Sequence, residues 1–91
     1  MKIFAVCGFG VGSSMVLKMT IEKVCRELGI EADVENTDIS SAQGSDCDYV
    51  FTSEELADQL RSSVKCPVIA IKKYMDKEEV KNKFQEQLGK E

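Results

Sequence analysis

A chain of 91 residues has room for one hydrophobic core, so a single domain over 1–91 is expected. With 43% hydrophobic residues and no apolar run long enough to cross a bilayer, it fits a globular domain rather than a membrane-spanning one. The net charge of −4 excludes a general nucleic-acid binder, and four scattered cysteines with no CxxC pair and no histidine exclude common zinc-finger spacings. Neither a metal nor an organic cofactor is expected. No stretch near Met1 reads as a signal peptide, and scattered cysteines suit reduced thiols, so a cytoplasmic protein is expected.

The first element is Ile3–Val6, a short apolar run of the kind found in strands buried on both faces. Cys7 stands at its end. Gly8, Gly10 and Gly12 then alternate with Phe9 and Val11, and Ser13 and Ser14 lead into a helical pattern. A strand, a glycine loop and a helix start together point backbone N–H groups at an anion, since the first N–H groups of a helix lack internal acceptors. Glycines allow positive φ angles and close approach of a phosphate. The same N–H groups would stabilise a thiolate, so Cys7 is the candidate nucleophile. Gly8, Phe9, Gly10, Val11, Gly12, Ser13 and Ser14 are the candidate phosphate-binding residues, with Ser13 or Ser14 as helix N-cap. All 16 acidic residues lie at or after Glu22, so no carboxylate of this segment repels an arriving anion. The other cysteines, Cys25, Cys47 and Cys66, border apolar runs and read as small buried side chains.

Leu17, Ile21, Val24 and Leu28 recur at helical spacing, with Gly29 as a stop and Ile30 folding back. Residues Ile30–Glu35 alternate apolar and acidic, which predicts a half-exposed edge strand. Asn36–Asp38 reads as a turn, and Ile39–Gly44 as weakly helical or irregular. Tyr49–Phe51 predicts a third strand. Thr52 followed by Glu55 resembles a capping box for a helix carrying Leu56 and Leu60. A fourth strand falls within Val64–Ile71, with Pro67 near its start. Asp76 and Glu79 form a second predicted box, Met75 and Val80 a hydrophobic staple, and Val80, Phe84 and Leu88 the buried stripe before Gly89.

This order predicts an α/β fold of three layers. Its four-stranded parallel sheet has order 2-1-3-4 with helices on both faces, a Rossmann-like or flavodoxin-like arrangement. Ligands bind such sheets beyond the carboxyl ends of the strands at the switch point, where Cys7 falls. The turns at Asn36, Thr52–Ser53 and Lys72–Lys73 open on the same side. Several glycine-loop chemistries compete for that position. A nucleotide-triphosphate loop needs a lysine after its last glycine, and here Ser13 follows Gly12. A dinucleotide fingerprint needs a third glycine where Ser13 stands. A low-molecular-weight cysteine phosphatase loop has the right length from Cys7, but Ser13 replaces its transition-state arginine, and the Asp-Pro general acid is absent.

The loop Cys7-Gly8-Phe9-Gly10-Val11-Gly12-Ser13-Ser14, with the length and element order of the whole chain, resembles the IIB component of the bacterial phosphoenolpyruvate-dependent sugar phosphotransferase system. Within the lactose/cellobiose, galactitol and ascorbate superfamily it looks closest to the ascorbate and galactitol types. Lactose-type loops usually carry serine after the cysteine, where this chain has Gly8. The resemblance implies a fold similar to low-molecular-weight tyrosine phosphatase. It also implies a phosphocysteine carrier in which Cys7 accepts a phosphoryl group from the phosphohistidine of a IIA protein. Cys7 would then pass the group to a sugar or sugar-like substrate held by a membrane IIC permease, at the inner face of the membrane. Phe9 and Val11 are candidates for partner contact, with inward packing beneath the loop as the alternative. Two rivals remain open: a phosphatase-like or arsenate-reductase-like thiol enzyme, and a non-catalytic phosphate-binding module.

Overall fold

The computed structural model describes residues 1–6, 11–44 and 46–89, with 11–14 as backbone alone. Four strands, β1 (Lys2–Val6), β2 (Asp33–Thr37), β3 (Tyr49–Ser53) and β4 (Val68–Ile71), alternate with four helices. The helices are α1 (Val11–Leu28), α2 (Ile39–Gln43), α3 (Glu54–Arg61) and α4 (Lys77–Gly89). All strand pairs are parallel and the sheet order is β2-β1-β3-β4, as the element pattern predicts.

Both faces of the sheet are covered. Ile3 and Ala5 of β1 point to one side, with Tyr49, Phe51, Ile69 and Ile71, beneath Leu17, Ile21 and Val24 of α1 and Val80 and Phe84 of α4. Phe4 and Val6 point to the other, with Val50 and Val68, beneath Ala42 of α2 and Ala57 and Leu60 of α3. The Phe84 ring meets Tyr49 and Phe51 edge-on, with centroids 5.2 and 5.4 Å away, an arrangement favoured by the aromatic quadrupole.

Helix α1 ends as its sequence predicts. Gly29 takes φ 71°, its N–H donates to the Arg26 carbonyl at 3.3 Å, and the Ile30 N–H donates to the Cys25 carbonyl at 2.8 Å. That stop uses Ile30, so β2 begins three residues later than the alternation suggests. Its register with β1 runs from Lys2 opposite Asp33 to Val6 opposite Thr37. Asn36 and Thr37 are therefore strand rather than turn, and Asp38 caps α2 by accepting from the Ser41 N–H at 2.7 Å.

Three further local expectations are corrected by pairing elsewhere in the fold. Ser53 pairs with Ile71, which keeps Thr52 inside the sheet, so the α3 cap is Ser53, accepting from the Leu56 N–H at 3.4 Å. Asp76 does cap the first turn of α4, accepting from the N–H groups of Glu78 and Glu79. Its own N–H is taken by the Lys73 carbonyl at 3.1 Å, so Glu79 instead accepts from the Lys72 and Lys73 N–H groups at 2.8 and 3.0 Å. Met75 is 83% exposed and staples nothing.

Two ties join α1 to the chain around α4. The Thr20 hydroxyl reaches the Tyr74 carbonyl at 2.6 Å, and Glu27 pairs with Lys77 and Lys81. Hydrogen bonding by Lys77 holds the Glu27 carboxyl below its usual range.

Phe84 touches two residues of β3 through its ring and is fully buried. Phe84→Ala is expected to lower unfolding free energy by about 3–5 kcal/mol, measured by urea denaturation followed by circular dichroism.

Candidate functional site

The site must be built from its flanks, because Cys7, Gly8, Phe9 and Gly10 lie outside the described residues. Strand β1 ends at Val6, and the chain re-enters the described fold at Val11 with α1 already begun. Helix α1 thus starts before either serine. Ser13 and Ser14 occupy its third and fourth positions instead of capping it, and Gly12 falls within its first turn. The backbone N–H groups of Val11, Gly12 and Ser13 are then among those that a helix leaves without internal acceptors.

The sheet order makes the gap between β1 and β3 the switch point. After β1 the chain moves to one side for β2, then crosses to the other side for β3. Val6 stands opposite Thr52 at the carboxyl end of that gap, and Cys7 is the next residue in the sequence. The remaining cysteines lie elsewhere. Cys25 is buried in the penultimate turn of α1, and Cys47 and Cys66 precede the amino ends of β3 and β4. Burial and the nearby Glu22 push the Cys25 thiol up from its ordinary value. Burial, the adjoining Cys66 and the acids Asp48 and Asp46 push Cys47 up to about 12. Neither suits attack on a phosphoryl group at neutral pH.

Helix α1 also differs electrostatically from the other two helices of eight or more residues. The first turns of α3 and α4 carry Glu54 with Glu55, and Glu78 with Glu79, while that of α1 has no acid. Carboxylates at an N-terminus offset the helix dipole; the first turn of α1 supplies none. Both arginines of the chain, Arg26 and Arg61, sit in the last turns of α1 and α3, away from this end.

Two polar residues take places that the sequence does not predict, Thr52 having been expected as a helix cap. Thr20 interrupts the apolar stripe between Leu17 and Ile21 and holds Tyr74 of the β4–α4 connection. Its spacing on the buried face was the available signal. Thr52 is fully buried, and its Oγ1 is the only buried side-chain polar atom without a partner among the described residues. Nothing in the sequence marks it, because its burial depends on β3 continuing through Ser53. Beside it a shallow cavity of about 270 Å³ is lined by Ser53, Glu54, Glu55, Ile71, Lys72 and Tyr74.

The chain matches the family model of the PTS system, Lactose/Cellobiose specific IIB subunit, over residues 2–86. It belongs to this family. A curated relative, the ascorbate-specific PTS system EIIB component of Mycoplasma pneumoniae, is 31% identical over 83 residues, covering 89% of this chain and 87% of the relative. Among solved structures, the lactose-specific IIB component domain of the phosphoenolpyruvate:carbohydrate phosphotransferase system from Streptococcus pneumoniae superposes with a TM-score of 0.65. That match covers 98% of this chain and 95% of the other at 11% identity, and carries the fold alone. As a IIB family member the chain has a role in sugar phosphotransfer, in a system that includes IIA and IIC components. Among the described residues no helix is long and apolar enough to cross a membrane.

A buried hydroxyl without a partner costs stability that a methyl group of the same shape does not. Thr52→Val is therefore expected to raise unfolding free energy by about 1 kcal/mol, read from urea denaturation midpoints at constant m.

Proposed function

We propose that this IIB protein is a phosphocysteine carrier with Cys7 as the acceptor. The observation that supports this most is positional. Cys7 is the one cysteine that follows a strand's carboxyl end, at the switch point and four residues before a helix whose first turn carries no acid.

In the first step the Cys7 thiolate attacks phosphorus in line, the S–P bond forms, and the N–P bond to the IIA histidine breaks, leaving the imidazole to take a proton. In the second, a sugar hydroxyl oxygen attacks the same phosphorus. The S–P bond breaks, the thiolate leaves, and the hydroxyl proton passes to a base outside this chain. Backbone N–H groups from Gly8 to Ser14 hold the phosphoryl oxygens in both steps. Water is poorly served as a competitor. A hydrolase needs an arginine clamp and a general acid, whereas both arginines lie at the far ends of their helices and Ser13 stands at the clamp position.

The carrier must meet IIA and IIC in turn at the inner face of the membrane. Met15, Val16 and Met19 lie exposed on the first turns of α1, beside the loop, at 41, 36 and 51%. Unbranched thioether side chains adapt to more than one partner, so this strip, with Phe9 and Val11, is the docking surface. The 31% identity to an ascorbate-specific relative, together with Gly8 after the cysteine, favours an ascorbate-like acid sugar as the final acceptor.

Intact-protein mass spectrometry after incubation with phosphoenolpyruvate, the general phosphotransferase proteins and a panel of IIA donors tests the reading. One phosphoryl group mapped to Cys7, given by an ascorbate-type donor, is expected. No adduct with any donor, together with phosphate release from an aryl ester, would replace it with the hydrolase reading. Cys7→Ser is expected to abolish labelling while circular dichroism stays unchanged, and persistent labelling would move the acceptor elsewhere. Gly10→Val, which adds bulk where a phosphate must approach the backbone, is expected to slow labelling at least about tenfold in rapid-quench kinetics.

A further inference from the structure

At the amino edge of the sheet, two thiols stand side by side. Cys47 lies in the connection from α2 to β3, and Cys66 in that from α3 to β4. Strands β3 and β4 are neighbours, with Val50 opposite Val68 and the Val50 N–H donating to the Pro67 carbonyl at 3.0 Å. Carrying that register back sets Asp48 opposite Cys66, with Cys47 one position away. For strands ~4.8 Å apart rising ~3.3 Å per residue, that offset corresponds to a Cα separation of about 6 Å, which a disulfide spans without backbone movement. The Cys66 thiol is near enough to Cys47 to help push its thiol up. Both are half-buried against the same apolar cluster and line one open cavity of about 220 Å³, with Asp46, Ser63 and Lys65 among its other walls. Both thiols are free. Among the described residues no third side chain joins them to make a metal site.

We propose that Cys47 and Cys66 form a dithiol modification site, which a low-molecular-weight disulfide entering this cavity closes to an intramolecular Cys47–Cys66 bond. The Cys66 thiolate attacks one sulfur of the reagent, the reagent's S–S bond breaks, and one thiolate leaves and is protonated. Cys47 then loses its proton to solvent, and its sulfur attacks Cys66 Sγ and expels the second thiol. Two electrons pass from the protein sulfurs to the reagent, which ends as two thiols. The surroundings fix this order. Burial, the Cys66 thiol and the carboxylates of Asp48 and Asp46 keep the proton on Cys47, with Lys65 the cation lining the same cavity, so Cys66 attacks and Cys47 resolves. The bond would bridge the entries to β3 and β4 across the segment that holds α3.

The test treats the native full chain with oxidised glutathione, quenches by alkylation and maps the peptides by mass spectrometry. It needs no phosphoryl transfer, so its outcome is independent of the role of Cys7, and a parallel run in Cys7→Ser removes that thiol as a competitor. The expected product joins Cys47 to Cys66 and melts several degrees above the reduced protein. Cys47→Ser is expected to trap a stable glutathione adduct on Cys66, and Cys66→Ser to leave Cys47 unmodified. Alkylation of both cysteines after oxidation, a lasting glutathione adduct on the unsubstituted protein, or linkage to Cys25 instead would overturn the proposal. An oxidised form melting at or below the reduced one would overturn the claim that the native geometry accepts the bond.

Discussion

Parallel pairing on both sides of β1 is the constraint from which the rest of the molecule follows. Strands that run the same way cannot be joined by hairpins, so every connection must cross back over a face of the sheet. The four carboxyl ends therefore gather along one edge and the four amino ends along the other. With α1 and α4 over one face and α2 and α3 over the other, the sheet is sealed, and variation is left to its two edges. The two edges carry different chemistry. The carboxyl edge holds the end of β1 and the N-terminus of α1, while Cys47 and Cys66 sit at the amino edge.

That segregation separates a carrier from a hydrolase built on the same plan. Both need a thiolate supported by backbone N–H groups, and the sequence supplies this with a glycine loop and a helix start free of acids. A hydrolase also needs a cation to draw the group through its transition state and an acid to help the leaving group depart. Here the guanidinium groups are at the other ends of their helices, and Arg61 is engaged with Asp58 at 3.1 Å. On the proposed reading, the loop would hold a phosphoryl group without a cation or acid to activate water against it.

The elements that bury their own periodic pattern were legible before any coordinates. The apolar run of β1, the Leu17–Ile21–Val24 stripe of α1 and the Val80–Phe84 stripe of α4 all face the core, and the strand order followed from crossover geometry. What escaped were features decided by a neighbour. The start of β2 depends on Gly29 and Ile30 finishing α1, and the α3 cap moves to Ser53 because Ile71 pairs with it. Glu79 closes a loop because Lys73 has already taken the Asp76 N–H. Proximity of Cys47 to Cys66 is set by the β3–β4 register, which their spacing in the chain does not encode. Cys7 is the reverse case: the glycine alternation singles it out, and it lies outside the described residues, between β1 and α1.

The two ties between α1 and the chain around α4 respond differently to the medium. Glu27 with Lys77 and Lys81 is a surface ion pair near the last turn of α1, and added salt screens it. The Thr20 hydroxyl on the Tyr74 carbonyl carries no net charge and is partly shielded from water. Changes in ionic strength should therefore loosen the helix at its far end first, where it can fray towards Gly29. The half nearer the loop stays pinned to the β4–α4 connection, so the geometry at the carboxyl edge is insulated from the salt content of its surroundings.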